Sequence, residues 1–325
     1  MSPFPVQENT VPNPGDSSVT EVARCRIASD HDLLSRVQLD DVASQLKKRA
    51  HKLAVEKLTS PANLSPNGNK KIPGTAVRLA RLMDALLKGE CDALVLSAPS
   101  LPSRLPTGLT IGAITSRLTP YDVLLSSEER ILDELPENAT MAANEVRREA
   151  QLLYYRPDLK MVRTGPDIES IIEMVDTGKL DAAVLCASDV ERLNKQDHVT
   201  EFLTCSICVP AAGQGSLAVL VRSSDDIVKR YLHGINDAAS YSEIVAEWAC
   251  LHHLGLNETA PVGVLGSIEG SKLELEGVVA SPDGREKIRS VVKGSVGHEE
   301  QLGKDLADEI LEAGGKELLR ELNLI

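Results

Sequence analysis

The sequence predicts an α/β protein of two tandem lobes followed by a smaller α+β domain, and three observations carry that expectation. The segment Gly89-Glu-Cys-Asp-Ala-Leu-Val-Leu96 recurs as Gly178-Lys-Leu-Asp-Ala-Ala-Val-Leu185, the mark of a duplicated unit. Each copy follows an amphipathic helical pattern, Val77 to Lys88 and Asp167 to Thr177. A glycine then stops the helix and a buried apolar run begins. Beyond residue 236 the pattern changes to one helix, two alternating strands and a final helix.

In chain order, residues 1–20 are proline-rich with no apolar run. They read as a disordered tail rather than a signal peptide or anchor. Cys25 to Ala28 is a strand and Leu33 to Leu46 a helix; the second copy repeats this as Thr140 to Ala143 and Val146 to Tyr155. Both lobes are therefore expected to be βαβ units with parallel sheets. The stretch 64–74 is rich in turn formers and polar residues and reads as a mobile surface loop. Tyr241 to Leu254 is helical, Lys272 to Ala280 and Lys287 to Val292 are strands joined by a turn at Pro282-Asp-Gly-Arg285, and 299–322 is a helix broken at Gly314-Gly315. The expected bodies are 21–117 with 216–235, 118–215, and 236–325.

Composition narrows the partners. The chain has 325 residues, 42% hydrophobic and only 2% aromatic, with a formal net charge of -13. An acidic average surface repels phosphate backbones and anionic lipid, so neither nucleic acid nor membrane is an expected partner. No stretch approaches the length of a membrane-spanning helix. Six scattered cysteines lack the dense spacing of a secreted disulfide scaffold, which points to a reducing compartment, the cytoplasm. Cys205-Ser-Ile-Cys208 has neither a second pair nor histidines at ligand spacing, so it reads as structural, and no metal site is expected. Gly213-Gln-Gly215 is too short to signal a nucleotide. Two similar α/β lobes characteristically hold a ligand in the cleft between them, at the carboxyl ends of strands, where helix N-termini favour anions.

Four phrases carry a resemblance that extends over nearly the whole chain after the tail. They are Leu105-Pro-Thr-Gly-Leu109, Arg147-Arg-Glu-Ala-Gln-Leu-Leu-Tyr-Tyr-Arg-Pro-Asp-Leu159, Pro210-Ala-Ala-Gly-Gln-Gly-Ser-Leu217, and Pro261-Val-Gly263 with Ser281-Pro-Asp-Gly284. In order they resemble the hydroxymethylbilane synthase (porphobilinogen deaminase) family. The resemblance implies two periplasmic-binding-protein-like lobes with a cleft between them, plus the small α+β C-terminal domain. It also implies polymerisation of porphobilinogen, an acidic pyrrole, on a dipyrromethane cofactor held covalently by a cysteine of the third domain. Carried over residue by residue, Arg147, Arg148, Arg163 and Arg192 take basic ligand-binding positions, with Gln214 and Gly215 beside them. Arginine suits such places because its planar fork binds carboxylates bidentately.

Other family positions are replaced. In Leu96-Ser-Ala-Pro-Ser-Leu-Pro102, Ser100 stands where the resemblance implies the catalytic aspartate, and a neutral hydroxyl cannot stabilise a cationic pyrrole as a carboxylate does. Glu258 stands at the cofactor cysteine, so no attached cofactor is expected. Asp30, Asp32 and Glu169 replace anion-binding groups, which disfavours acidic ligands near them. The expectation is a family member in tetrapyrrole biosynthesis that binds a small anionic or zwitterionic, pyrrole-related ligand without standard turnover. Retained deaminase activity, and a structural role in a tetrapyrrole-synthesis complex, stay open as alternatives.

Overall fold

The computed structural model describes residues 23–49, 53–59, 75–102, 104–256 and 259–325. The tail expected at 1–20, the loop expected at 64–74 and Glu258 lie outside the described residues. By compactness the chain divides into two units. The first comprises 1–96, 104–116 and 217–237, and the second 97–103, 117–216 and 238–325.

The first unit opens with β1 (Ala23–Ser29), α1 (Leu33–Arg49), β2 (Leu53–Thr59), α2 (Thr75–Leu87), β3 (Ala93–Ser97) and β4 (Leu109–Ile114). The second begins with β5 (Asp122–Ser126), β6 (Thr140–Ala142), α3 (Val146–Tyr155), β7 (Lys160–Met161), α4 (Ile168–Asp176), β8 (Ala182–Cys186), α5 (Ala187–Arg192) and β9 (Glu201–Phe202). The chain then returns to the first unit as β10 (Leu217–Arg222) and α6 (Asp226–His233). Finally α7 (Ala238–His253), β11 (Val262–Glu269), β12 (Lys272–Ala280), β13 (Lys287–Ser295), α8 (Glu299–Ile310) and α9 (Lys316–Glu321) form the C-terminal part of the second unit.

The duplication extends to individual atoms. After α2 and α4, Gly89 and Gly178 take positive φ values of 74° and 68°. Gly89 N–H donates to Leu86 O and Glu90 N–H to Ala85 O, while Gly178 N–H donates to Val175 O and Lys179 N–H to Met174 O. Both ends are thus the same glycine-terminated double hydrogen bond, which needs the left-handed backbone that glycine adopts without strain. The shared aspartate also makes the same bond in both copies, since Asp92 accepts from Arg26 N at 2.9 Å and Asp181 from Thr140 N at 2.7 Å. In each lobe it ties the start of the apolar strand to its parallel neighbour.

The sheet orders are β2-β1-β3-β10-β4 and β7-β6-β8-β5-β9. Neither sheet is wholly parallel, which corrects the sequence expectation. β1 pairs in parallel with β2 and β3, and β6 with β7 and β8, but β10 runs antiparallel to β4 and β5 antiparallel to β8 and β9. The exceptional strands, β5 and β10, receive the chain after it crosses between units. Each starts at the edge where its partner ends: Asp122 faces Cys186, and Ala218 faces Ile114.

Both faces of the second sheet are covered. Leu124, Met141, Leu152 and Val184 pack on one side, and Val123, Leu125, Ile171, Ile172 and Leu185 on the other. This explains why β5 and β8 read as continuous apolar runs rather than alternating ones. In the first lobe Ile27, Leu39, Val42, Leu46, Val95 and Val219 fill the core.

The C-terminal sheet is an antiparallel meander, β11-β12-β13. The sequence divides this segment from the second lobe, whereas the two form one compact unit. Ala150 of α3, Val209, and Val278 and Ala280 of β12 make a common apolar cluster across that boundary. Among the described residues, no helix is long and apolar enough to cross a membrane.

Candidate functional site

The strand directions of the second lobe bring three chain segments to one sheet edge. β6 ends there and feeds α3, β8 ends there and feeds α5, and the reversed β5 begins there with Asp122. Asp122 is fully buried. Its Oδ2 accepts from Arg147 Nη1 at 2.7 Å, and its Oδ1 accepts from Arg148 Nε and Gln214 Nε2 at 2.9 Å each. Cys208 Sγ lies 3.3 Å from Oδ2. Burial alone would raise the pKa of this carboxyl, but two adjacent guanidinium groups outweigh it and hold Asp122 well below the usual carboxylate range.

The arginine pair is accordingly not open to solvent. Arg147 and Arg148 are 3% and 6% exposed. Arg147 also donates to Val209 O at 2.8 Å and to Gln214 Oε1 at 3.2 Å. On the solvent side Glu145 bridges both arginines, accepting a hydrogen bond from Arg147 Nη2 at 2.9 Å and forming an ion pair with Arg148 Nη1 at 2.9 Å. Two cations meet two carboxylates, so the group is formally neutral. The sequence singled out the arginines but neither Asp122 nor Glu145.

Gln214 and Gly215 join this network through the backbone. Gln214 Nε2 donates to Pro120 O at 2.6 Å, and Gly215 O accepts from Arg192 Nη2 at 3.1 Å. Gly215 has φ +98°, and a Cβ there would stand 2.7 Å from Leu118 O. Only glycine fits. Beside it, Gly213 N–H donates to Glu247 Oε2 at 2.6 Å. Glu247 is fully buried on α7, receives Gly266 N–H at 2.7 Å, and pairs with Arg117 Nη1 at 2.7 Å. The C-terminal segment thereby holds the loop that carries Gln214. A glutamate inside the apolar pattern of α7 is the sequence signal that was available for this latch.

Arg192 donates Nη1 to Ser188 Oγ at 3.2 Å and stands 3.7 Å from Asp189. Burial pushes the Asp189 carboxyl up to about 6, against the pull of Arg192 and Arg148. Arg163 differs from the other three: its side chain is 78% exposed and reaches only Glu149, at 3.4 Å. Arg147, Arg148, Arg192, Gln214 and Gly215 therefore belong to one connected group, whereas Arg163, which follows β7 at the same sheet edge, is exposed and makes no bond to that group.

The replaced acidic positions each have a local partner. Asp30 accepts from Arg78 Nε at 2.7 Å and from His31 N at 2.8 Å. Burial would raise its pKa, yet these bonds win and the pKa is lowered. Asp32 caps α1, accepting from Ser35 N at 2.9 Å and Ser35 Oγ at 2.7 Å, an N-cap role that absorbs its charge. Glu169 lies in the first turn of α4, 3.9 Å from Lys195. Ser100 is an exposed residue of a one-turn 3-10 helix following β3.

The six cysteines are free thiols. Cys250 is fully buried and burial raises its thiol. It is the sole cysteine after residue 208, so a thioether-linked cofactor on the C-terminal segment does not fit these residues. Among the described residues, no group of three histidine, cysteine or acidic side chains could hold a metal ion.

Residues 25–230 match the family model for the porphobilinogen deaminase dipyromethane cofactor binding domain, and residues 241–312 match the porphobilinogen deaminase C-terminal domain. The porphobilinogen deaminase of Pelotomaculum thermopropionicum is 42% identical over 250 residues, covering 77% of this chain and 80% of that protein. That of Thermus thermophilus is 37% identical over 248 residues, covering 76% and 82%. Among solved structures, the methionine-binding protein MetQ is 12% identical, covers 67% of this chain and 92% of that one, and has a TM-score of 0.42.

Proposed function

The chain belongs to the porphobilinogen deaminase family, and from that premise we propose that it serves tetrapyrrole biosynthesis by taking porphobilinogen-type acidic pyrroles. Deamination and coupling of porphobilinogen is the reading that the relatives' names support. The observation that carries ligand chemistry is the edge of the second lobe, where Arg147, Arg148 and Arg192 converge with Gln214. Guanidinium forks in a largely water-free setting suit carboxylates, and a small anionic or zwitterionic ligand matches them.

Two observations favour a second reading, binding without turnover. Ser100 is neutral at the position where the family resemblance implies a carboxylate, and Cys250 is too buried to carry a thioether. Without that carboxylate the cationic intermediate of ammonia loss lacks its main electrostatic support. Incubation of the pure protein with porphobilinogen separates the two. Ammonia release with hydroxymethylbilane formation supports the enzyme, and calorimetric binding with unchanged porphobilinogen supports the binder. Absence of both sinks the proposal. Intact mass adds a second measure: the polypeptide mass alone accords with Glu258, and a dipyrromethane-sized increment would require another attachment point.

A further inference from the structure

We propose that Glu145 is a built-in carboxylate occupying the anion-binding face of Arg147 and Arg148, and that a carboxylate-bearing ligand enters this lobe by exchanging with it. The inference deepens the reading of the lobe as a site for acidic pyrroles and rests on it.

The geometry separates two carboxylates by their access to water. Asp122, with none of its surface exposed, grips the inner side of both guanidinium groups. Glu145 contacts the same two groups from outside, and its side chain is 43% exposed. One carboxylate is therefore a fixed member of the core, and the other can leave into solvent by rotation about its own side-chain bonds. Its departure would uncover one Nη group on each of two arginines, both already placed against a carboxylate oxygen.

Nor is Glu145 required where it stands as a helix cap. It is the N-cap residue of α3, with extended φ and ψ of -133° and 131°, yet its side chain accepts no capping hydrogen bond. Its position is set from behind. Asn144 has a positive φ of 55° and is anchored by Thr164, whose N–H donates to Asn144 Oδ1 at 3.1 Å while Asn144 Nδ2 donates to Thr164 Oγ1 at 2.8 Å. This turn directs residue 145 back over the arginines.

Charge supplies the functional consequence. With Glu145 in place the two arginines are balanced by two carboxylates, and an arriving anion finds no net positive charge. With Glu145 displaced the group carries one unit of positive charge, and the ligand's carboxylate restores neutrality. The exchange replaces one carboxylate by another against the same two guanidinium groups, so affinity is set by the ligand's other contacts, a device that selects against simple anions.

Glu145→Gln and Glu145→Ala test this by isothermal calorimetry with two probes, succinate as a plain dicarboxylate and porphobilinogen. Melting curves of both variants first establish that they are folded. Succinate is expected to bind each variant at least tenfold more tightly than the native protein, with an affinity that falls as salt is added. Unchanged, weaker or undetectable succinate binding in the folded variants overturns the inference. A gain for succinate with no porphobilinogen binding by any form leaves the exchange standing and removes the acidic-pyrrole reading.

Discussion

Asp122 and Arg147 meet at 2.7 Å with at most 3% of either side chain exposed. They are separated in sequence by a strand, a crossover and a turn, so neither predicts the other locally. The pair fixes the inner side of an arginine dipeptide in the lobe's own framework and leaves only the side that Glu145 covers for a ligand. Removing both Arg147 and Arg148 would therefore leave Asp122 buried and uncompensated, and would test folding before it tested binding.

Replacing Asp122 by asparagine is expected to leave two buried guanidinium groups facing each other, and to cost about 3–5 kcal/mol of stability at neutral pH. Urea denaturation measures it. The native carboxyl is held below its ordinary value, so its contribution is complete above about pH 5 and is lost as pH falls below about 4 toward the folded value. The variant should lack that acid-sensitive component. A variant as stable as the native protein at pH 7 would mean that Asp122 does not hold the arginines.

Asp189 should act in the opposite sense. Its folded pKa is raised to about 6 by burial, against an ordinary value of about 3.9. Between these values the unfolded chain releases the proton and the folded chain retains it, so stability falls as pH rises through that window, by roughly 2–3 kcal/mol. Denaturation midpoints of the native protein and Asp189→Asn, compared from pH 4 to 7, should converge toward the acid end and separate above pH 6 in favour of the variant. Parallel pH profiles would contradict the buried-carboxyl account.

Gly215→Ala and Gly178→Ala form a matched pair. Both positions have positive φ, but a Cβ at Gly178 meets nothing within 4 Å, whereas at Gly215 it stands 2.7 Å from Leu118 O. The first substitution should cost only the left-handed backbone penalty, about 1–2 kcal/mol. The second adds a clash with main chain that has no flexible end to yield, so its cost should exceed the first and reach the Gln214 network. Thermal melting gives the ranking, and equal losses would show that the loop relaxes freely.

Much of the architecture was already legible in the sequence because the relevant physics is local. The repeat at Gly89 and Gly178 encodes the same helix stop, the same aspartate tie and the same buried strand, and these depend on neighbours within a few residues or on an identical partner strand. The periodicities of α3 and β12 give their bounds for the same reason. The family resemblance likewise rested on contiguous phrases, and it directed attention to Arg147, Arg148, Arg192 and Gln214.

What only the tertiary structure decided is which charges face one another. The reversal of β5, imposed where the chain crosses from the first lobe, carries Asp122 to the edge at which β6 and β8 end. The turn at Asn144 then brings Glu145 over the same arginines. Arg163, indistinguishable from them as a residue type, lies on the exposed surface. Asp30, read from sequence as a repulsive charge, finds Arg78 of α2 as its partner. Charge in a sequence is a property of one residue, whereas electrostatic effect depends on distance and on access to water, and both are set by strand order and direction rather than by local pattern.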